Sequence, residues 1–468
     1  MSEDYRTEQD SLGEMQVPAD AYWGAQTQRA VENFPISEET FGRRFVRARG
    51  VVKKAAAQAN RDLGLVPEEK ADAIVEAADE VIDGEHDDQF PVDVFQTGSG
   101  TSTNMNANEV IANRACELVG AEVGSREVHP NDHVNYGQSS NDVIPTAMHV
   151  ASLEALVKDV EPALETLVAA LEEKEEAFDD VVKTGRTHLQ DATPVTLGQE
   201  FGGYRSQIEK GLVRVENVKP HLRELALGGT ATGTGLNTHE EFPERAASYI
   251  SDETGVAFRE ADNHFEAQAA HDAMSEAHGA LRTVAGSLNK IANDLRLLAS
   301  GPRNGLGEIE QPENQPGSSI MPGKINPVVA ESINQVHKQV VGNDAAVSAG
   351  AAEGQIDLNL YKPVLANDFL QSARLVANGS EAFAEKFVAK LEANEAHCEA
   401  QVERSMALAT ALNPHIGYDA ASKVAKQALK EGKTVREVAV EGGYLTEEEA
   451  DEVLDPAKMT ERGILGSE

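Results

Sequence analysis

The chain has 468 residues, which is enough for several domains with sizeable cores. Its 79 acidic residues outnumber 41 basic residues, and a formal net charge of −38 argues against nucleic acid or anionic membranes as partners. No apolar run is long enough to span a membrane, and the first residues lack the basic and apolar regions of a signal peptide. The two cysteines, Cys116 and Cys398, lie in unrelated contexts and make no zinc or disulfide framework. We therefore expect a cytoplasmic protein with reduced thiols.

The acidic residues are spread along the chain rather than collected in one tail, and 40% of all residues are hydrophobic, as in a folded protein. A dispersed acidic surface is typical of adaptation to high salt, where the Debye length falls to roughly 3 Å at 1 M and self-repulsion is screened. The alternative is an ordinary acidic cytoplasmic protein. The charge favours a halophilic protein and says nothing about its reaction.

The predicted elements change character along the chain. Residues 1–138 combine short helices with Gly-rich turns, which predicts an N-terminal domain that is mixed but mainly helical. Residues 139–393 carry long apolar stripes at helical spacing, which predicts a bundle of long helices. Residues 394–468 contain short helices and frequent turns, with a capping box expected at Thr446 and Glu449. No convincing run of strands appears, so the predicted fold is mainly α with three domains.

Two apolar stripes define the predicted bundle. One stays in phase past Pro162, which is expected to kink its helix, and comprises Leu153, Leu156, Val157, Val160, Leu164, Leu167, Val168 and Leu171. The other is a heptad-like seam of Met274, Ala277, Leu281, Val284, Leu288, Ile291, Leu295 and Leu298. Further helices are predicted at 195–225, 328–347 and 369–391. Because such lengths exceed the needs of a compact single-chain domain, we expect the bundle to continue into partner subunits of a homo-oligomer.

Four polar segments each precede a predicted helix. They cover residues 97–104, 138–142, 183–191 and 317–327, with Pro194 expected to enter the helix that follows the third. Their Ser, Thr, Asn and Asp residues are good N-caps, so capping alone accounts for any one segment. Together, their backbone N–H groups and hydroxyls at helix N-termini provide enough donors for two carboxylates. The set favours a small dicarboxylate as the ligand.

Charged side chains in these segments suggest the chemistry. His188 lies among hydroxyls, and Glu331, on the helix after the fourth segment, is a candidate carboxylate partner that would raise its basicity. The alternative for His188 is a surface or core histidine without function. Lys324 and Arg186 add positive charge, although a structural ion pair is the favoured interpretation of Arg186.

Metal and nucleotide sites are not predicted. His129 and His133 have helical i,i+4 spacing, but Pro130 interrupts them and no HExxH pattern exists. Gly98 and Gly100 do not form a GxGxxG motif between a strand and a helix.

The fourth segment carries the most specific motif. Residues 317–327 fit the pattern GSSxMPxKxNP, the signature loop of the fumarase/aspartase superfamily. Residues 22–29 (YWGAQTQR) and the blocks that begin at Thr97, His129, Ser139 and Thr184 follow in family order. The chain therefore resembles the class II (fumarase C type) fumarate hydratases along nearly its whole length.

Three positions separate this family from the aspartases within the superfamily. Aspartases typically carry glutamine where His188 stands, threonine in place of Ser140 and alanine in place of Gly323. All three positions resemble fumarases. An aspartate ammonia-lyase and a non-catalytic structural homologue, as lens crystallins are in this superfamily, are the two alternatives.

The resemblance implies a fold and a reaction. The fold is a three-domain fumarase/aspartase fold whose central helical bundle assembles in a homotetramer, with each active site drawing residues from three subunits. The reaction is the reversible anti addition of water to fumarate, giving (S)-malate in the tricarboxylic acid cycle, without a metal or organic cofactor. Towards fumarate, a base removes a C3 proton to form an aci-carboxylate intermediate, which then expels hydroxide.

The resemblance also implies roles for individual residues. Ser318 would be the C3 base, made more acidic by Lys324, and His188 would act on the water side with Thr187 and Glu331 nearby. The residues expected to hold the carboxylates are Ser99, Gly100, Thr101, Ser139, Ser140, Asn141, Thr187, Ser319, Lys324 and Asn326. A second dicarboxylate site is expected at Arg126, His129, Asn131 and Asp132.

The net charge generates the first prediction. Activity and the stability of the tetramer should rise with molar salt, because counterions screen the repulsion among acidic residues. The measurement is malate turnover and sedimentation in high salt and after long dialysis into dilute buffer. Full activity in dilute buffer would refute halophily.

Overall fold

The computed structural model describes residues 5–466, and the chain is mainly helical, as predicted. It divides into two compact units. The first contains the described residues up to 162 together with 213–284 and 338–377, and the second contains 163–212, 285–337 and the described residues from 378 onwards. The division into domains at 138 and 393 stays a prediction. Between residues 5 and 466, no helix has both the length and the apolar character needed to cross a membrane.

The N-terminal part combines one hairpin with four helices. Strands β1 (Tyr5–Asp10) and β2 (Gly13–Pro18) pair antiparallel. The helices are α1 (Ala25–Asn33), α2 (Arg43–Asp62), α3 (Glu68–Asp83) and α4 (Thr101–Leu118). Their small and β-branched residues form one apolar core, in which Val46, Ile74, Val81, Val110 and Ile111 are at most 1% exposed.

The middle of the chain contains the long helices. They are α5 (Ser140–Ala155), α6 (Glu161–Ala177), α7 (Leu197–Leu222), α8 (Phe242–Thr254), α9 (His264–Ala269), α10 (Asp272–Leu298), α11 (Val328–Ala352) and α12 (Lys362–Lys386). Every member of the predicted seam on α10 is at most 6% exposed, so the prediction of a packed helix is confirmed. A π-helical turn at Leu156–Val160 joins α5 to α6 just before Pro162, where the sequence predicts a kink.

The third polar segment differs from its prediction. The sequence predicts a loop before a helix at residues 183–191, but β3 (Val182–Thr187) and β4 (Gln190–Thr196) form an antiparallel hairpin. Pro194 lies in β4, and α7 begins only at Leu197. The Thr- and Val-rich flanks favour strands, and residues 188–189 form the turn. The sequence lacks the usual Asn-Gly turn signal, which is why the hairpin escapes prediction.

Shorter elements complete the chain. Strands β5 (Glu224–Leu225) and β6 (Arg259–Glu260) pair parallel, and β7 (Ile309–Glu310) and β8 (Glu392–Ala393) pair antiparallel. The last helices are α13 (Glu395–Glu403), α14 (Asn413–Ile416), α15 (Tyr418–Glu431), α16 (Val435–Glu441) and α17 (Glu447–Val453). The predicted capping box is confirmed, because Thr446 N donates to Glu449 Oε2 at 2.8 Å and Glu449 N donates to Thr446 Oγ1 at 3.2 Å. Both cysteines are buried free thiols.

Candidate active site

Two of the polar segments meet at the N-termini of α4 and α5. Thr101 is the first residue of α4, and its Oγ1 lies 2.8 Å from Ser99 Oγ and 2.7 Å from Ser140 Oγ. Gly100, the N-cap of α4, has a φ of 77°, and a Cβ there would lie 2.9 Å from the Ile144 side chain. Only glycine therefore fits both the backbone conformation and the space. The chain of three hydroxyls joins two helix N-termini, and donors at a helix N-terminus favour a bound carboxylate.

The N-terminus of α5 is held by a capping box. Ser139 Oγ accepts from Asn141 N at 3.2 Å, and Ser139 N donates to Asp142 Oδ1 at 2.9 Å. Asp142 Oδ2 also accepts from the backbone N–H groups of Gly228 at 3.0 Å and Thr230 at 2.9 Å. Burial raises the pKa of Asp142 to about 6, although these donors oppose the shift. The sequence indicates Ser139 and Asn141, but it gives no sign that Asp142 also fixes a loop some 90 residues away.

The third segment presents His188 at the tip of the β3–β4 hairpin. His188 and Leu189 have φ values of 55° and 59°, as in a type I′ turn, and both side chains are exposed together with Thr187. Two basic residues anchor the base of the hairpin: Lys183 Nζ lies 3.0 Å from Glu308 Oε2, and Arg186 Nη2 lies 2.7 Å from Glu308 Oε1. This geometry confirms the structural ion pair that the sequence favours for Arg186.

The two ends of the signature loop, at residues 317 and 324–326, lie against each other. A Cβ at Gly317 would lie 2.0 Å from the carbonyl oxygen of Lys324, so no side chain fits there. The Asn326 side-chain amide donates to the Gly317 carbonyl and closes this neck. The tip is open, and Ile320 is 84% exposed. The loop is therefore fixed at its neck and uncovered at its tip.

Ser318 occupies the start of the loop and accepts two hydrogen bonds. Its Oγ accepts a hydrogen bond from the backbone N–H of Ile320 at 3.3 Å and another from that of Met321 at 3.0 Å. Ser318 Oγ therefore lies at the focus of two backbone N–H dipoles, an arrangement that favours negative charge on an oxygen. Ser319 and Lys324 lie on the exposed part of the same loop.

Glu331 lies in the first turn of α11. Across residues 5–466, neither a hydrogen bond nor an ion pair links the Glu331 carboxylate to His188. Within the same residues, the Lys324 ammonium forms no hydrogen bond and no ion pair with any group. The predicted partnership of His188 with Glu331 is not formed within one chain.

The second predicted site lies around a cavity of about 280 Å³ in the first unit. Arg126, His129 and Asn131 line this cavity, whereas Asp132 does not. His129 Nδ1 accepts from the backbone N–H groups of Asn131 and Asp132, each at 3.1 Å, and so caps the π-helical turn Pro130–Val134. Glu8, Asp10 and Glu109 also line this cavity.

Comparison with known proteins places the chain in one family. Residues 13–342 match the Lyase family, and residues 408–461 match the Fumarase C C-terminus family. Over 468 residues, covering all of both chains, it is 84% identical to the class II fumarate hydratase of Halobacterium salinarum. It is 56% identical to the corresponding protein of Nitrosomonas europaea, with 98% of this chain and 99% of that protein covered.

Solved structures agree with the sequence comparison. A class II fumarase from Schistosoma mansoni superposes with a TM-score of 0.95 at 41% identity, over 98% of this chain and 99% of that one. A fumarate lyase:delta crystallin from Brucella melitensis bound to cobalt gives a TM-score of 0.94 at 49% identity, over 98% and 100% of the two chains. The chain therefore belongs to the lyase family and, within it, to the class II fumarate hydratases.

Proposed function

We propose that this chain catalyses the reversible anti addition of water to fumarate, giving (S)-malate through an aci-carboxylate intermediate. The observation that carries this proposal is the 84% sequence identity with a class II fumarate hydratase over all 468 residues. The geometry adds a chemical reason, since the hydroxyls and helix N-termini of α4 and α5 suit a small dianion. Malate and fumarate each bring two carboxylates to such a site.

One substrate carboxylate binds, in this proposal, at the N-termini of α4 and α5. Its ligands are the hydroxyls and N–H groups of Ser99, Gly100, Thr101, Ser139, Ser140 and Asn141. The shared hydroxyl chain supports the grouping, because it brings two segments that are 39 residues apart into one hydrogen-bonded set. The signature loop supplies ligands from Ser319, Lys324 and Asn326 when it closes over the substrate.

Ser318 is proposed as the base that removes the C3 proton of malate. A serine hydroxyl is ordinarily far too weak an acid to serve as an alkoxide at neutral pH. The two N–H donors on its Oγ favour the charged form, and the ammonium of Lys324 on the same loop adds to their effect once the loop closes. The exposed tip of the loop leaves it free to close over substrate.

His188 is proposed to act on the water or hydroxyl side of the substrate, with Thr187 and Glu331 beside it. Thr187 and His188 are exposed in the single chain, which supports a site completed by other subunits. We therefore propose a homotetramer in which three subunits contribute to each active site, and His188 meets Glu331 there. The same proposal includes the three-domain division, a cytoplasmic location and a reaction without a cofactor. It also includes a second dicarboxylate site at Arg126, His129, Asn131 and Asp132.

The reaction itself is the second prediction. The purified protein mixed with L-malate in high salt should produce fumarate, measured as rapidly growing ultraviolet absorbance of its double bond, and it should produce none from L-aspartate. Absorbance that grows only with aspartate would move the assignment to an ammonia-lyase. If the folded protein in high salt changes the absorbance with neither substrate, the remaining interpretation is a non-catalytic structural homologue.

A third prediction concerns the histidine. His188→Asn should lower kcat by about 10²–10⁴-fold, because that is the usual contribution of general acid–base catalysis. Asparagine tolerates the left-handed conformation of this turn, so the hairpin should persist. Circular dichroism checks the fold, and His221→Asn, a change at an exposed histidine on α7, is the matched control. Near-normal turnover of His188→Asn would remove this residue from the mechanism.

A fourth prediction concerns the base. Ser318→Ala should lower kcat on the order of 10²–10⁴-fold, since it removes the oxygen that accepts the C3 proton. Ser405→Ala is the control, because Ser405 Oγ also accepts a backbone N–H, at 3.2 Å, and has no proposed role in the reaction. Exchange of the malate C3 proton with deuterated solvent should be lost together with turnover. An active Ser318→Ala enzyme would disprove the assignment.

A further inference from the structure

Two lysines are fully buried in the first unit without a carboxylate partner. Lys53 lies on α2 and Lys362 is the first residue of α12, and both are 0% exposed. Within residues 5–466, neither ammonium forms an ion pair, and each is hydrogen-bonded to neutral oxygens. A buried cation without a counter-ion is costly, so a protein keeps one only where something else stabilises it.

The two lysines contact the chain on either side of the start of α5. Lys53 Nζ donates to Asn135 Oδ1 at 3.0 Å and to Gln138 Oε1 at 2.9 Å. Lys362 Nζ donates to the carbonyl oxygen of Asn141 at 3.2 Å. One lysine therefore holds the residues immediately before Ser139, and the other holds the backbone within the first turn of the helix.

The Lys53 contacts extend to the other helix of the site. Asn135 Oδ1 also accepts from Asn108 Nδ2 at 3.1 Å and from Asn104 Nδ2 at 3.2 Å, both on α4. Asn135 Nδ2 donates to the carbonyl oxygen of Gln138 at 3.1 Å. The Lys53 ammonium is thus the cation at the centre of an amide network that links α2, α4 and the N-terminus of α5.

The local charge is unbalanced. Asp142 is the acidic group whose charge acts on both lysines, so one carboxylate offsets two ammonium groups. Burial lowers the pKa of Lys53 and that of Lys362 to about 7, and Asp142 opposes both shifts without cancelling them. With all three groups ionised, the N-terminus of α5 carries one excess positive charge.

The neighbouring histidines do not change this balance. Burial, followed by the Lys362 ammonium, holds the pKa of His271 far below its usual value, and burial lowers the pKa of His149 to about 4. His149 Nδ1 lies 2.7 Å from the carbonyl oxygen of Glu224, and both ring nitrogens of His271 are buried without a hydrogen-bond partner. Both imidazoles are therefore neutral at pH 7.

We propose that Lys53 and Lys362 are positioning residues for the reaction: they fix the Ser139–Asn141 turn and make it electropositive, so that a substrate carboxylate supplies their missing counter-charge. This inference rests on the proposed function, because it takes the substrate to be a dicarboxylate. Neither lysine touches the substrate. Each acts through the backbone and amide groups that it holds.

The sign of the pH dependence follows from this arrangement. A bound dianion stabilises the protonated lysines and raises their pKa values from about 7. Binding should therefore take up protons near and above neutral pH, and affinity for the dianion should fall as pH rises through the pKa values of the free enzyme.

The fifth prediction tests the pair by substitution. Lys53→Met and Lys362→Met keep the length of the side chain and remove its charge. Each should raise KM for malate and fumarate by about tenfold with kcat changed much less, as expected when uniform binding is lost. The rise of KM with pH should flatten in both variants. Lys54→Met is the matched control, because Lys54 is the next residue on α2 and pairs instead with Asp79 and Glu253, each at 2.6 Å.

A second measurement uses the unmodified protein, in case the variants fail to fold. Calorimetric titration with succinate in two buffers of different ionisation enthalpy gives the number of protons taken up on binding. Proton uptake on succinate binding is expected above pH 7, and its absence would overturn the proposal. Unchanged KM values and pH profiles in both folded variants would also overturn it. These failures are distinct from failure of the proposed function, in which the unmodified protein would not convert malate at all.

Discussion

The Asp142 carboxylate organises the first unit around the start of α5. It accepts backbone N–H groups from Ser139, Gly228 and Thr230, and so it joins the helix N-terminus to a loop distant in the chain. An anion at this position serves the helix dipole and satisfies donors that would otherwise be buried without partners. It also uses an interaction that a substrate carboxylate could compete for. In the proposed binding mode, the Lys53 and Lys362 ammonium groups resolve that conflict, because they make the same region favourable for a second negative charge.

Much of the fold follows from periodicity in the sequence. The seam of α10 needs only apolar residues at alternating three- and four-residue spacing, and its burial depends on no special side chain. The hydroxyl-rich segments before α4 and α5 were likewise recognisable, because N-cap residues mark helix starts. That Thr101 and Ser140 touch could not be derived, since it depends on how the two helices pack. The same holds for His188 and Glu331, whose pairing is proposed between subunits.

Other parts of the site have weak sequence signals. The β3–β4 hairpin turns at His188 and Leu189, which both adopt the left-handed conformation; histidine is enriched there but leucine is not, so the pair is a weak turn signal. Lys53 lies between buried residues such as Val52 and Ala55, so a charged residue in an apolar stretch of α2 was a signal that could have been followed. Lys362 offers no such sequence signal, because it lies just after the segment between α11 and α12, where a charged residue is ordinary. Asp142 looks like an ordinary capping residue until its partners from the loop after α7 are known.

The neck of the signature loop has a consequence for the proposed closure over substrate. Contact between Gly317 and the Lys324 carbonyl, together with the bond from Asn326, removes most conformations that a free segment of this length would sample. The entropy of ordering the loop is then lost once, when the protein folds, rather than at every catalytic cycle. In the proposed closure over substrate, such a pre-shaped loop closes and reopens without refolding, which suits an enzyme that must release product as readily in one direction as in the other.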